Sequence, residues 1–152
     1  MAVSFPLQIS VVIPVYNAAK FIEAAVASCL QFDEVREVVL VDDAGPDNSL
    51  EVCQAMTAKE PRVKLFRHPG HVNKGAAESR NLGILNSTSE LVAFLDADDF
   101  FLPTRFDAER RIFKEQPDAD GVYGAIGPHY YDEAGRALFN RTFEHEITTV
   151  RK

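Results

Sequence analysis

Residues 9–15 read Ile-Ser-Val-Val-Ile-Pro-Val, a run with no charged side chain and mostly β-branched residues. Branching at Cβ suits the pleat of a strand. The run does not alternate polar with apolar, so it reads as a strand covered on both faces. Such strands belong to parallel sheets flanked by helices. Pro14 belongs at its end, because proline brings no N–H to a ladder. The pattern recurs in Glu37–Val41, in the shorter run Val63–Arg67, and in Leu91–Leu95. Helical patterns lie between these runs. Asn17 is placed to cap a helix running to about Phe32, with Phe21, Ile22, Ala25, Val26, Cys29 and Leu30 at helical spacing. A second helix starts near Asn48, with Glu51 placed as in a capping box and Leu50, Cys53 and Met56 toward the core. Pro69 to Asn73 reads as a loop and Gly75 to about Leu85 as a third helix. Pro103 opens a fourth, with Phe106, Ile112 and Phe113 on its inner side. Strands alternating with helices predict an α/β fold, a three-layer sandwich around a mostly parallel central sheet. Beyond it, Gly121–Tyr131 and Ala137–Phe139 read as a β-hairpin around Glu133-Ala134-Gly135.

At 152 residues one domain is the expectation. The net charge of −7, with no lysine- or arginine-rich run, argues against nucleic acid as a partner. Cys29 and Cys53 fall among apolar neighbours and read as reduced core thiols. No apolar run is long enough to span a membrane, and the N-terminus carries neither a basic segment nor an apolar stretch of the signal-peptide kind. The expected location is therefore cytoplasmic. His68, His71, His129 and His145 show no metal-ligand spacing and read as exposed or loop histidines.

The chemistry lies where the strands end. Leu91–Leu95 runs straight into Asp96-Ala97-Asp98-Asp99. Clustered carboxylates repel one another unless a cation joins them. Hard oxygen ligands suit Mg²⁺ or Mn²⁺, often shared with phosphates. A polar turn would give the same letters. Asp42-Asp43 closes the second strand in the same way, and acids at the carboxyl ends of strands in one sheet can line one crevice. A carboxylate there can accept from a nucleobase ring N–H or from ribose hydroxyls. After the first strand, Pro14-Val15-Tyr16-Asn17 offers backbone and a ring for a base to lie against. Asn73 to Asn81 starts a helix with small residues and two cations, Lys74 and Arg80. Helix N-termini attract phosphate, and arginine grips it bidentately. An exposed Lys74 and a surface ion pair through Arg80 fit the same letters.

Taken in order, Val11 to Asn17, Val41 to Asp47, Asn73-Lys74-Gly75 with Ser79-Arg80-Asn81, and Phe94 to Asp99 resemble the N-terminal half of family 2 glycosyltransferases. These enzymes have the GT-A, Rossmann-like fold, and the resemblance covers roughly Ile9 to Tyr131. It implies a nucleotide-sugar donor, usually a UDP-sugar, with Mn²⁺ or Mg²⁺ as cofactor. It also implies inversion at the anomeric carbon and transfer to a hydroxyl of a glycan or lipid-linked acceptor. By the same resemblance Asp43 recognises the base, and Pro14, Val15, Tyr16 and Asn17 line base and ribose. Arg80, with Lys74, lies by the nucleotide. Asp96 is a ribose- or metal-side acid, Asp98 is the metal ligand on the diphosphate, and Asp99 is secondary. Ala44-Gly45-Pro46-Asp47 replaces the family's commoner Gly-Ser-x-Asp but keeps the flanking acids.

The family places its catalytic base well downstream of the Asp-x-Asp. Here Asp132, Glu144 and Glu146 match no motif, and the chain ends at Lys152. The expectation is a single donor-binding domain over 1–152, truncated at its C-terminus, with no catalytic base identified. In a full-length protein acting on lipid-linked glycans it would sit at the inner membrane face. A non-catalytic nucleotide-binding module is the main alternative. An Asp-x-Asp phosphatase, with Asp96 as nucleophile, fits less well, because about ninety residues of α/β pattern precede the motif. Neither a Gly-x-Gly-x-x-Gly fingerprint nor a P-loop is present.

Overall fold

The computed structural model describes residues 5–123 together with Glu133, Arg136 and Ala137. The elements in chain order are β1 (Ile9–Val15), α1 (Ile22–Leu30), β2 (Val35–Asp42), α2 (Ser49–Lys59), β3 (Val63–Arg67), α3 (Gly75–Leu85), β4 (Leu91–Phe94) and α4 (Asp107–Glu115). The four strands form one all-parallel sheet in the order β3-β2-β1-β4.

Each strand sends alternate side chains to opposite faces. On one face Val11, Ile13 and Val15 of β1 and Val38 and Leu40 of β2 join Ile22, Val26 and Cys29 of α1 and Cys53 of α2 in the main core. On the other face Val12, Val39 and Val41 pack with Leu82 of α3. The sheet is thus sandwiched between α1 and α2 on one side and α3 on the other, the three layers expected. The approach of α3 is very close: a Cβ on Gly83 would stand 2.2 Å from Val12 Cγ1. Burial raises the Cys29 and Cys53 thiols to about 12, and both are free, as expected for core thiols.

Beyond β4, Phe101 and Phe106 stack edge-to-face with Phe32, at centroid separations of 6.4 and 5.0 Å. The Phe101 N–H also donates to Ser28 Oγ at 3.0 Å, so the segment after the Asp-x-Asp is anchored to α1. At the opposite, amino end of the sheet, the buried Glu37 carboxylate on β2 accepts from Ser10 Oγ (2.7 Å), Thr88 N (2.6 Å) and Thr88 Oγ1 (2.8 Å). Ser10 Oγ in turn accepts from Ser89 N at 3.1 Å. This cluster ties the turn leading into β4 to the two central strands.

Several local expectations are corrected. Asn17 does not cap α1: it sits in the left-handed region (φ 52°), and the helix begins five residues later at Ile22. Asn48 makes no capping bond either. The cap on α2 comes from Asp47, whose Oδ1 accepts from Ser49 N (3.2 Å) and Ser49 Oγ (2.5 Å). Leu50 and Ile112 are only half-buried. Pro103 lies in a turn ahead of α4 and does not open the helix. β4 ends at Phe94 and is only half-buried, because among the described residues it pairs with β1 alone. Of the expected hairpin, residues 121–123 have no regular structure, while Glu133, Arg136 and Ala137 are helical. The rest of it lies outside the described residues, as do Asp132, His129, Glu144, His145 and Glu146. The chain divides into two compact units, 1–122 and 123–152; within the second, Arg136 pairs with Glu133 at 3.7 Å.

Candidate functional site

In the order β3-β2-β1-β4 the chain first steps one way from β1, then returns to β1's other side. The order therefore reverses between β1 and β4, a switch point at whose carboxyl end open α/β sheets bind ligands. A cleft of about 270 Å³ lies there. Its walls are Pro14, Tyr16, Asn17, Ala18 and Phe21 from the β1–α1 connection, Asp43 after β2, Ala76 and Arg80 of α3, and Asp96, Ala97 and Asp98 after β4.

Two of these walls are locked together. The β1–α1 loop donates through Ala18 N to Ser49 Oγ (2.8 Å) and through Ala19 N to Asp47 Oδ2 (2.9 Å). Hydrogen bonding from Ser49 chiefly, with Ala19, holds the Asp47 carboxyl below its ordinary value. Gly45 lies so close that a Cβ there would meet Asn17 N at 2.6 Å, and backbone cannot yield as a side chain would. This is the physical reason for glycine after Asp43-Ala44.

Asp42 and Asp43 are adjacent in sequence but do different work. Asp42 points away from the cleft, and its Oδ2 accepts from Arg67 Nε of β3 at 3.2 Å. Asp43 is only 3% exposed yet lines the cleft. Its own N–H donates to Val15 O at 2.9 Å. Its Oδ1 accepts from Lys74 N (2.7 Å) and its Oδ2 from Gly75 N (2.9 Å), so it caps α3 from across the sheet. Carboxylate oxygens offer about four acceptor positions between them, so capacity remains for a ligand donor.

Arg80 reaches across the cleft floor, its Nη2 donating to Asp96 Oδ1 at 2.5 Å. The Asp96 side chain is 56% exposed, and Asp98 and Asp99 are also exposed. Burial first, then the charges of Asp98 and Asp96, push the Asp99 carboxyl above its ordinary value. Three cleft carboxylates, Asp43, Asp96 and Asp98, thus face one guanidinium. An anionic ligand would enter such a site in company with a cation. Hard oxygen donors suit Mg²⁺ or Mn²⁺. Among the described residues no three acids, histidines or cysteines converge to chelate a metal alone. That donor set fits an ion held by one or two carboxylates and completed by phosphate oxygens.

Of the residues picked from the sequence, Pro14, Tyr16, Asn17, Asp43, Arg80, Asp96 and Asp98 meet in this cleft. Val15 does not: its side chain is fully buried in the core, and it serves Asp43 through its carbonyl. The Lys74 side chain is exposed and is not among the lining residues; its backbone N–H is what touches Asp43. Phe21, expected on the core face of α1, lines the cleft. His68, expected as an exposed or loop histidine, follows β3 outside any regular element but is only 5% exposed and lies against Asp43. Its position directly after β3, like that of Asp43 directly after β2, was the available signal.

The family model for Glycosyl transferase family 2 matches residues 10–151. The succinoglycan biosynthesis protein ExoU of Rhizobium meliloti (strain 1021) is 40% identical over 105 residues, covering 69% of this chain and 30% of its own. S. aureus TarS (residues 1–349), solved in complex with UDP-GlcNAc, superposes with a TM-score of 0.62 at 26% identity over 81% of this chain and 37% of its own. The mannosyltransferase PcManGT from Pyrobaculum calidifontis, solved with GDP-Man and Mn²⁺, shares the fold at 22% identity, with a TM-score of 0.67 over 84% of this chain and 38% of its own. The chain spans well under half the length of the curated relatives it matches. A match over nearly every residue, on a sheet shared with GT-A glycosyltransferases, makes this chain a member of glycosyl transferase family 2.

Proposed function

We propose that this chain is the donor-binding part of a metal-dependent, inverting glycosyltransferase that moves a sugar from a nucleotide-sugar, preferentially a UDP-sugar, to an acceptor hydroxyl on a glycan or lipid-linked glycan. The observation that carries the reading is the convergence of Asp43, Arg80, Asp96 and Asp98 with the Pro14–Asn17 segment in one cleft at the sheet's switch point. Asp43 accepts from a ring N–H of the base, and the exposed Tyr16 ring offers it a face. Asp96 serves the ribose or metal side, and Asp98 holds the metal. Arg80 steadies the diphosphate, with Lys74 nearby in the loop that caps onto Asp43. When bound, Mn²⁺ or Mg²⁺ supplies positive charge against the negative charge growing on the departing nucleoside diphosphate. The preference for UDP draws on TarS, solved with UDP-GlcNAc and with UDP; the metal draws on the acid-rich cleft and on PcManGT. The glycan acceptor draws on ExoU's role in succinoglycan biosynthesis. Among the described residues no helix is long and apolar enough to cross a membrane. We place the reaction on the cytoplasmic side, with the full-length protein peripheral to the inner membrane face when its acceptor is lipid-linked.

The test is calorimetric titration of the chain with UDP, with and without Mn²⁺, beside GDP and dTDP. Metal-dependent binding that favours UDP supports the donor site. Binding of UDP without metal dependence removes the metal role, and binding of no nucleotide removes the donor-site reading. One observation favours the narrower role of a binding module: among the described residues every carboxylate lining the cleft is already assigned to donor or metal, leaving none of them to deprotonate an acceptor. Donor hydrolysis or transfer by this chain alone would overturn that narrower role.

A further inference from the structure

We propose that His68 is a positioning residue for Asp43: its ring, braced by Ser79, backs the carboxylate and fixes the direction in which it meets the nucleobase. The inference rests on the reading of Asp43 as the base acceptor. A nearly buried carboxylate aimed at a cleft must be held on every side it does not offer to the ligand. Two sides are known: Lys74 N at Oδ1 and Gly75 N at Oδ2. Lys74 ends the β3–α3 connection and Gly75 opens α3; along this stretch Gly70, His71 and Gly75 have φ of 78°, 53° and 85°, and Val72 and Lys74 are exposed. A solvent-facing loop is a poor sole clamp. His68 adds a buried ring beside Oδ1. It follows β3 directly, is buried, and places Nε2 3.7 Å from Asp43 Oδ1 and 2.9 Å from Ser79 Oγ. Ser79, fully buried one turn into α3, satisfies the ring nitrogen and keeps it from swinging away. An apolar side chain would join β3 to α3 equally well. Burying an imidazole costs desolvation, and here it sets a polar nitrogen behind a buried acid that lines the cleft.

A base-free ligand separates positioning from mere packing. The chain and its His68→Phe, His68→Gln and Ser79→Ala variants are titrated calorimetrically, in Mn²⁺, with UDP and with pyrophosphate. For His68→Phe we expect UDP affinity to fall about tenfold as the polar ring 3.7 Å behind the carboxylate is lost, with pyrophosphate affinity within about twofold of the original. His68→Gln, whose amide can keep a hydrogen bond to Ser79 Oγ and a polar group behind the carboxylate, recovers most of the loss, and Ser79→Ala weakens UDP several-fold. Unchanged UDP affinity in His68→Phe, or UDP and pyrophosphate weakening together, overturns the proposal. Should His68→Phe fail to melt cooperatively, Ser79→Ala decides by the same two criteria. If the unsubstituted chain binds no UDP, the donor-site reading fails and this inference fails with it. Binding by the unsubstituted chain with no change in the variants overturns the inference alone.

Discussion

The two ends of this sheet both gather acids, and they treat them in opposite ways. At the amino end Glu37 is buried, and a single oxygen receives Ser10, Thr88 N and Thr88 Oγ1. Burial alone would raise its carboxyl, but those hydrogen bonds outweigh it and hold the group below its ordinary value of 4.5. At the carboxyl end Asp96, Asp98 and Asp99 stand exposed within four residues, and Asp99 is raised by burial and by its two neighbours. An acid wrapped in donors contributes to folding. Exposed acids set side by side at a cleft rim are available to a ligand, and like charges so close favour a cation between them. Asp43 belongs to both classes, since its carboxylate caps α3 and still faces the cleft.

The sharpest way to break this contrast is Glu37→Ala. It leaves the Ser10 and Thr88 donors unpaired, and we expect denaturant unfolding to report a loss of about 3 kcal/mol. UDP affinity of the folded chain should be unchanged; weakened UDP binding with unchanged stability would erase the distinction between the two ends. The same group has a pH signature. Because its folded value is depressed, its contribution is present above 4.5 and is lost as pH falls through the lower folded value. Glu37→Gln should therefore flatten the acid limb of the stability profile measured by thermal melts.

Asp98→Ala should show the reverse pattern. Mn²⁺-dependent UDP affinity should drop roughly a hundredfold, about 2.8 kcal/mol, while stability stays within about 0.5 kcal/mol because the side chain is exposed. Retained metal-dependent affinity would remove Asp98 from the site. Gly83→Ala tests the sandwich that holds both ends in place. The helix gains propensity, but the added Cβ meets Val12 at 2.2 Å, so a net loss of about 2 kcal/mol in chemical unfolding is expected. A stability effect as small as that of Asp98→Ala should come from Arg80→Gln. Its ion pair with Asp96 is largely exposed, so unfolding should shift by no more than about 0.5 kcal/mol. UDP affinity should fall roughly fivefold as the charged contact to phosphate is lost. A large loss of stability with intact affinity would recast Arg80 as structural.

Much of this was legible in the letters. β1, β3 and α3 lie where the apolar runs and helical spacing put them. Apolar runs rich in β-branched residues have few other destinations than a buried strand when helical patterns flank them. Boundaries set by polar residues were not legible. Asn17 carries a capping side chain but lies in the left-handed region because the loop it occupies is pinned to Asp47 and Ser49, 28 and 31 residues away. The cap on α2 fell to Asp47 for the same reason, since that carboxylate bridges two loops. His68 read as an exposed or loop histidine because a lone histidine in a polar stretch has no periodicity to reveal its burial.

Sequence by itself determined the layers, the parallel sheet and the run of acids at the strand ends, because burial pattern and strand–helix alternation are local properties of the chain. It also carried the ordered motifs of family 2. Tertiary structure alone decided which of two adjacent acids faces the cleft. Asp42 pairs with Arg67 on the neighbouring strand, while Asp43 turns to the start of α3. Successive side chains leave a strand on opposite faces, and the partner each one finds depends on strand order, which no stretch of residues encodes alone.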